Sequence, residues 1–290
     1  MSAAARSAPP PRPSDRPRAL RSTRPSDPVA AYYRDKTESI LRKYGPGPRV
    51  HFHTGLVDHE IHEHDPDAIR AAMTRAQERL LEHVRDRLAP SPARILDVGC
   101  GLGGGAIFFA NEGHRVVAIT NERSHVGLAL RFARDAGLAD RVRVEHRDAH
   151  RPPDERFDAA IAIESSCYFD RARWMRATRA SLRPGGVLHV VDCFLGDESE
   201  RAWFDARWRT RIGPEQEYTR AAGRVGLELV HDEDLAPRAR RFWDLSIAWI
   251  RATAADRGEA EHHAREHAHL RDALERGAIR YRWLVWRRKG

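Results

Sequence analysis

The sequence predicts an α/β protein built on a mostly parallel sheet with helices on both faces. Three observations carry that prediction. From residue 94 onward, short apolar runs alternate with amphipathic segments, the pattern of strands connected by helical crossovers. The first of these runs opens directly into a glycine-rich turn. And 290 residues, 41% of them hydrophobic and 32% charged, suffice for one large domain with a sizeable core.

The elements follow in order. Residues 1 to 28 hold seven prolines and little that could pack, so a disordered leader is expected there. Tyr32, Tyr33, Ile40, Leu41 and Tyr44 then recur at helical spacing, until Pro46-Gly47-Pro48 stops that helix. Residues 49 to 63 form most of a loop with His51, His53, His59 and His62, and His64 lies just beyond. A long helix is expected over 66 to 88, with Leu80, Leu81, Val84 and Leu88 on its apolar face. Residues 29 to 90 thus read as a helical cap, and residues 91 to 290 as the main domain. Strands are expected at Arg94 to Val98, Val116 to Thr120, Val142 to His146, Ala159 to Ile163 and Val187 to Phe194. Helices are expected at 124 to 136 and 171 to 182. Two further strands, Leu227 to Asp232 and Tyr281 to Arg287, flank a charged helical segment.

Composition narrows the function classes. The net charge is +8, a balance that suits nucleic acid, anionic lipid or an acidic small molecule. Arginine is abundant and lysine nearly absent, a bias that also follows from a GC-rich genome. Six arginines lie between Arg6 and Arg24, a faint likeness to a transit peptide. No basic run alternates with aromatics, so no nucleic-acid partner is expected. No run of eighteen apolar residues exists and the N-terminus lacks an apolar signal core, so neither membrane insertion nor secretion is expected. Cys100, Cys167 and Cys193 lack metal-ligand spacing and suit a reducing cytoplasm. A homo-oligomer is compatible with all of this.

The strongest local signal is Ile95-Leu96-Asp97-Val98-Gly99-Cys100-Gly101-Leu102-Gly103-Gly104. Glycines let a ligand approach backbone closely, as in dinucleotide-binding turns. The acid ahead of the first glycine suits a ligand that carries an amino group. This pattern resembles motif I of class I S-adenosylmethionine (SAM)-dependent methyltransferases. The resemblance implies their Rossmann-like seven-stranded fold and SAM as cofactor, held by Asp97, Gly99, Cys100, Gly101 and Gly103. The second strand ends Thr120-Asn121, where many relatives place an acid for the ribose, and Asp148-Ala149 resembles the adenine contact. Leu182-Arg183-Pro184-Gly185-Gly186 resembles the structural turn before the fifth strand.

The fourth strand ends Ile163-Glu164-Ser165-Ser166-Cys167-Tyr168-Phe169-Asp170. Ligands in open α/β sheets lie beyond the carboxyl ends of strands, so Glu164 projects towards the donor methyl. There it can act as a base or face a cation. This segment resembles that of geranyl diphosphate C-methyltransferases, relatives of the sterol and tocopherol C-methyltransferases. His51-Phe52-His53-Thr54-Gly55, Asp234-Leu235-Ala236-Pro237 and Phe242-Trp243-Asp244-Leu245 resemble the same enzymes. Residues 29 to 287 are covered. The sequence departs in one histidine fewer before Thr54, in Ala162-Ile163, and in a shortened stretch around Trp203 and Trp208.

That resemblance implies methylation of an alkene in an isoprenyl diphosphate, geranyl diphosphate foremost, at C2 or C6. Glu164 would be the base, with Tyr168 beside it. Alkene attack leaves a carbocation that aromatic faces stabilise by about 0.5–2 kcal/mol each. Tyr168, Phe169, Trp203, Phe204, Trp208, Phe242 and Trp243 are the candidates. Arg49, His51, His53 and Arg207 or Arg209 are expected at the diphosphate. Mg²⁺ is expected with it, near His51 and His53. Zinc would need ligands beyond that His-x-His pair. The main alternative is an O- or N-methyltransferase acting on a natural-product small molecule. An RNA-modifying protein and a non-catalytic SAM-binding scaffold are the others.

Overall fold

The computed structural model describes residues 27–59, 63–88 and 91–290. The expected leader, apart from its last two residues, lies outside them, and so does His62. Helix α1 (Pro28–Tyr44) begins earlier than the leader boundary drawn from composition. Proline at the first helical position loses no hydrogen bond, and the Asp27 carboxylate accepts from the Val29 N–H at 2.9 Å. Helix α2 (Pro66–Arg85) starts the same way, with Asp65 accepting from the Asp67 and Ala68 N–H groups.

Seven strands form one sheet in the order β3-β2-β1-β4-β5-β7-β6. They are β1 (Arg94–Val98), β2 (Arg115–Thr120), β3 (Val142–His146), β4 (Phe157–Ile163), β5 (Leu182–Leu195), β6 (Leu227–Asp234) and β7 (Ile279–Arg288). The first five pair in parallel; β7 runs antiparallel to both its neighbours. The chain reverses strand order between β1 and β4, which opens a crevice at their carboxyl ends.

Between them run α3 (Gly104–Asn111), α4 (Arg123–Asp135), α5 (Arg171–Ser181), α6 (Arg201–Trp208), α7 (Glu215–Arg224), α8 (Ala236–Thr253) and α9 (Arg257–Glu275). Strand residues alternate strictly between the two faces. Ile95, Val116, Ala118, Ile161, Val191 and Trp283 pack into one core with α2, α3, α4, α8 and α9. Leu96, Val117, Ala160, Val190 and Trp286 pack into the other with Trp174 of α5 and Tyr218 of α7. Both faces being covered explains why the strands read as continuous apolar runs.

The loop between α1 and α2 is pressed onto the domain. Leu56 N–H donates to the Ala76 carbonyl at 2.8 Å, and the Gln77 amide donates to the carbonyls of His51 and His53. Gly55 is needed there: a Cβ would meet the Ala76 backbone carbon at 2.5 Å. Strand β5 is longer than its apolar core suggests, because Leu182–Gly186 already pairs beside β4 across a register shift. Helices α6 and α7 have no individual signature in the sequence; each is short.

Candidate active site

Two cavities meet at the carboxyl ends of β1 and β4. The larger, about 1010 Å³, runs from Asp97 and the glycine turn past Thr120–Glu122 to Asp148 and Ala149. Gly99, Gly101 and Gly103 all have positive φ. At Gly101 a Cβ would have no heavy atom within 4 Å, so its surroundings are open cleft. Gly99 differs: a Cβ there would lie 2.5 Å from the Ser165 Cβ, so it is required by packing against the end of β4. Asp97 is buried at the cleft floor, and burial pushes its carboxyl up to about 7. A ligand ammonium would reverse that shift.

The end of β2 is more elaborate than Thr120 and Asn121 suggested. Glu122 is buried and caps α4, accepting from Ser124 N–H at 2.9 Å. Burial raises its pKa, but hydrogen bonds from Arg34 and Ser124 outweigh that and bring it to about 2. Arg34 comes from α1 and pairs with it at 3.2 Å. Asn121 instead donates to Asp27 at 3.0 Å, and Thr120 accepts from the Glu122 N–H at 3.3 Å. Asp148 lines the cleft, held below its ordinary value by hydrogen bonds from His150 that outweigh burial.

The second cavity, about 570 Å³, lies under α1, α6, α8 and α9. Its wall includes Tyr44, Phe52, Phe204, Trp208, Phe242 and Trp243. Glu164, Tyr33, Tyr168, Phe52, His53 and Thr210 border both cavities. Glu164 has φ of 48°, a left-handed conformation costing about 1–3 kcal/mol outside glycine. Its carboxylate accepts from the Thr54 N–H at 2.7 Å and the Tyr281 hydroxyl at 2.9 Å, both on Oε1. Burial pushes Glu164 up to about 7, and Asp192 adds to the rise while the two donors oppose it. Asp192 is itself engaged: the Ser166 hydroxyl and the Cys167 and Cys193 N–H groups donate to it, which pins the turn carrying Tyr168. The Tyr168 hydroxyl donates to the Trp208 carbonyl at 3.0 Å and meets the Tyr33 hydroxyl at 2.8 Å.

Several sequence expectations are redrawn by this geometry. Phe169 borders the cofactor cleft and packs on Trp174, away from the aromatic chamber. Trp203 stacks on His269 and donates to Glu266, so it lies outside the chamber wall. Arg49 pairs with Glu78 at 3.1 Å and borders neither cavity. His51 is buried beside the same Glu78 at 3.6 Å and faces the cofactor cleft. His53 does reach the junction, but burial and then His51 push it down to about 3, so it is neutral there. His53 is therefore not a cation at that junction. Of the arginines weighed, Arg207 lines the second chamber and Arg209 the cofactor cleft.

Sequence reasoning missed Tyr33, Arg34, Lys36, Lys43, Thr54, Glu122 and Tyr281 as site residues. Lys36 and Lys43 had a readable signal: a separation of seven puts both on one face of α1. Thr54 acts through its backbone, which side-chain motifs do not report. Tyr281 comes from the last strand, over a hundred residues from Glu164.

Comparison with known proteins follows the same lines. Residues 95–186 match the family model described as a methyltransferase domain. Methyltransferase GfsG of Streptomyces halstedii is 38% identical over 133 residues, 44% of this chain and 48% of that protein. A sterol 24-C-methyltransferase of Aspergillus fumigatus is 32% identical over 162 residues, 50% of this chain and 42% of that protein. The chain thus spans about half the length of the curated relatives it matches. Among solved structures, a geranyl diphosphate methyltransferase in complex with geranyl diphosphate and sinefungin superposes with a TM-score of 0.78. That likeness covers 90% of this chain and 98% of the other at 22% identity, and so speaks to the fold.

Proposed function

We propose that the chain is a class I SAM-dependent methyltransferase that methylates an alkene carbon of an isoprenyl diphosphate, with geranyl diphosphate the leading acceptor. One observation carries this reading: a single carboxylate, Glu164, stands where the cofactor cleft opens into an aromatic-walled chamber. SAM, when bound, supplies an electrophilic methyl group. The residues fit it: Asp97 offers a buried carboxylate, Gly101 an open approach and Asp148 an acceptor further along the cleft.

The chain's own groups do the rest. Trp208, Phe242, Trp243 and Tyr44 hold the acceptor's apolar body and exclude water from the cation that alkene attack leaves. Tyr168, locked by Tyr33 and the Trp208 carbonyl, presents its ring at the junction. Glu164 removes the proton that restores the double bond. A carboxyl near 7 is matched to that task at neutral pH. Thr54 and Tyr281 hold its Oε1 and leave Oε2 for the proton.

Mg²⁺ commonly joins phosphates to one or two carboxylates plus waters. Among the described residues no group of three or more His, Cys, Asp or Glu side chains is placed to hold a metal ion. The α1 face of the chamber instead carries Lys36 and Lys43. The same chamber is also lined by Asp256 and Glu259, enough acid to meet a diphosphate-bound Mg²⁺, but no step is routed through one.

Incubation with methyl-labelled SAM and geranyl diphosphate tests the reading. A product one carbon longer, with the label on a carbon of the chain by NMR, is expected. Label transferred only to oxygen or nitrogen acceptors overturns it.

A further inference from the structure

The chain contains three lysines among 50 basic residues, Lys36, Lys43 and Lys289, and the first two line the acceptor chamber. They lie seven residues apart on one face of α1. The Lys43 ammonium donates to the Ser246 hydroxyl of α8 and lies over the rings of Tyr44 and Trp249, at 5.2 and 5.8 Å. Lys36 lies over Tyr32 at 5.1 Å. Among the described residues neither ammonium has a carboxylate partner. Arg207 of α6 lines the same chamber and keeps one distant contact with Glu266, at 3.5 Å.

A neutral donor completes the set. The Ser246 hydroxyl accepts from Lys43, and its hydrogen therefore goes to His267 Nδ1, 2.9 Å away on α9. His267 is kept far below the usual imidazole range, by burial and then by Lys43 and Arg207, so it is neutral. With Nδ1 accepting, the ring proton sits on Nε2. His267 also lines the chamber, between Trp208 and Trp243. Two ammonium groups, a guanidinium and an imidazole N–H thus converge from α1, α6 and α9.

We propose that Lys36, Lys43, Arg207 and His267 form a metal-independent binding site for the diphosphate of the acceptor on the α1, α6 and α9 wall of the chamber. This rests on the isoprenyl diphosphate reading above and adds how the charged end is held. The placement is chemically coherent. Glu164 is surrounded by Asp192, Thr54 and Tyr281, while burial and then Arg207 push Lys36 down. An acceptor spanning the chamber would put its anion among the cations and its alkene beside the base. Burial, then repulsion from Arg207 and Lys36, push Lys43 down to about 7. Phosphate oxygens would favour its charged form, and lysine is the basic side chain that adapts in this way.

The test is calorimetric titration of the full chain with inorganic pyrophosphate in EDTA. Wild type is expected to bind, while Lys43→Met, which keeps length but removes charge, weakens binding about tenfold or more. Lys36→Met is expected to weaken it by a smaller factor. SAM affinity, measured on the same samples, should stay within about twofold and shows that the variants are folded. No binding of pyrophosphate by wild type in EDTA overturns the proposal, as does equal affinity in the folded Lys43→Met and Lys36→Met variants. So does Lys43-dependent binding of decanoate without pyrophosphate, which would make the site a carboxylate pocket. Pyrophosphate binding involves neither alkene nor methyl transfer. Lys43-dependent binding without a C-methylated product would therefore retain the anion site and reject only the proposed reaction.

Discussion

At the scale of the residue, Glu164 carries the proposed chemistry. A glutamate at φ of 48° persists only because its surroundings hold it: its N–H donates to Val191, and its carboxylate takes two donors. Glu164→Gln keeps the shape and loses the basicity. Turnover should fall by at least about a hundredfold, while SAM affinity, read by calorimetry, stays within a few-fold. Near-normal turnover would move the base elsewhere. Tyr281→Phe removes a donor that stabilises the ionised carboxylate, so the Glu164 pKa should rise further. Since the ionised form is the base, the acid limb of the pH–rate profile should shift to higher pH. An unmoved limb would mean that another group titrates. The two glycines of the turn should also separate. Gly101→Val intrudes into open cleft and should abolish SAM binding in a folded protein. Gly99→Val collides with Ser165 and should also lower the melting temperature.

At the scale of the element, α1 ties the two cavities together. Arg34 reaches Glu122 on the cofactor side, and Tyr33 meets Tyr168 at the junction. Lys36 and Lys43 face the chamber. Tyr168→Phe removes the hydrogen bonds that join α1, the Ser166–Tyr168 turn and α6. A loss of about 0.5–1.5 kcal/mol per hydrogen bond is expected in denaturant unfolding, with KM for the acceptor rising more than that for SAM. Equal rises in both would show that the link serves cofactor and acceptor alike and has no special part in acceptor binding. The helix itself was legible from its tyrosines and the Pro-Gly-Pro stop. Its partners were not, because helical periodicity identifies a face and not what that face meets. The same limit explains Trp203 and Phe169. Each is an aromatic beside the expected site in sequence, and each packs elsewhere because its element's orientation is set by the two cores.

At the scale of the whole molecule, burial stores unfavourable electrostatics in the site. Asp97 and Glu164 are raised to about 7 from ordinary values of 3.8 and 4.5. The folded state therefore holds protons that the unfolded state has released. Their contribution to stability is full below the unfolded values and is lost as pH rises through about 7. An ammonium bound at Asp97 would return its pKa towards normal. SAM binding should then release a proton below about pH 7, and the melting-temperature gain from saturating SAM should be larger at pH 8 than at pH 6. Calorimetry in buffers of different ionisation enthalpy reads the proton directly. A gain independent of pH would remove Asp97 from the amino-group contact.

The positions of the strands along the chain, the glycine turn and the identity of Glu164 as a strand-end acid were readable because each is local. Strands announce themselves by apolar runs, and a turn by its glycines. The depth of the site was not local. Tyr281, Thr54 and the lysines reach the candidate site by converging from the last strand, a loop backbone and a helix face. Tyr281 reaches Glu164 because β7 inserts antiparallel between β5 and β6, placing it opposite Cys193. The loop carrying Thr54 reaches it because Gly55 and Gln77 bind that segment to α2. Burial then converts ordinary carboxyl and ammonium groups into ones poised near neutrality, as at Glu164 and Lys43. Desolvation depends on everything packed around a group, so it exists only once the chain has folded.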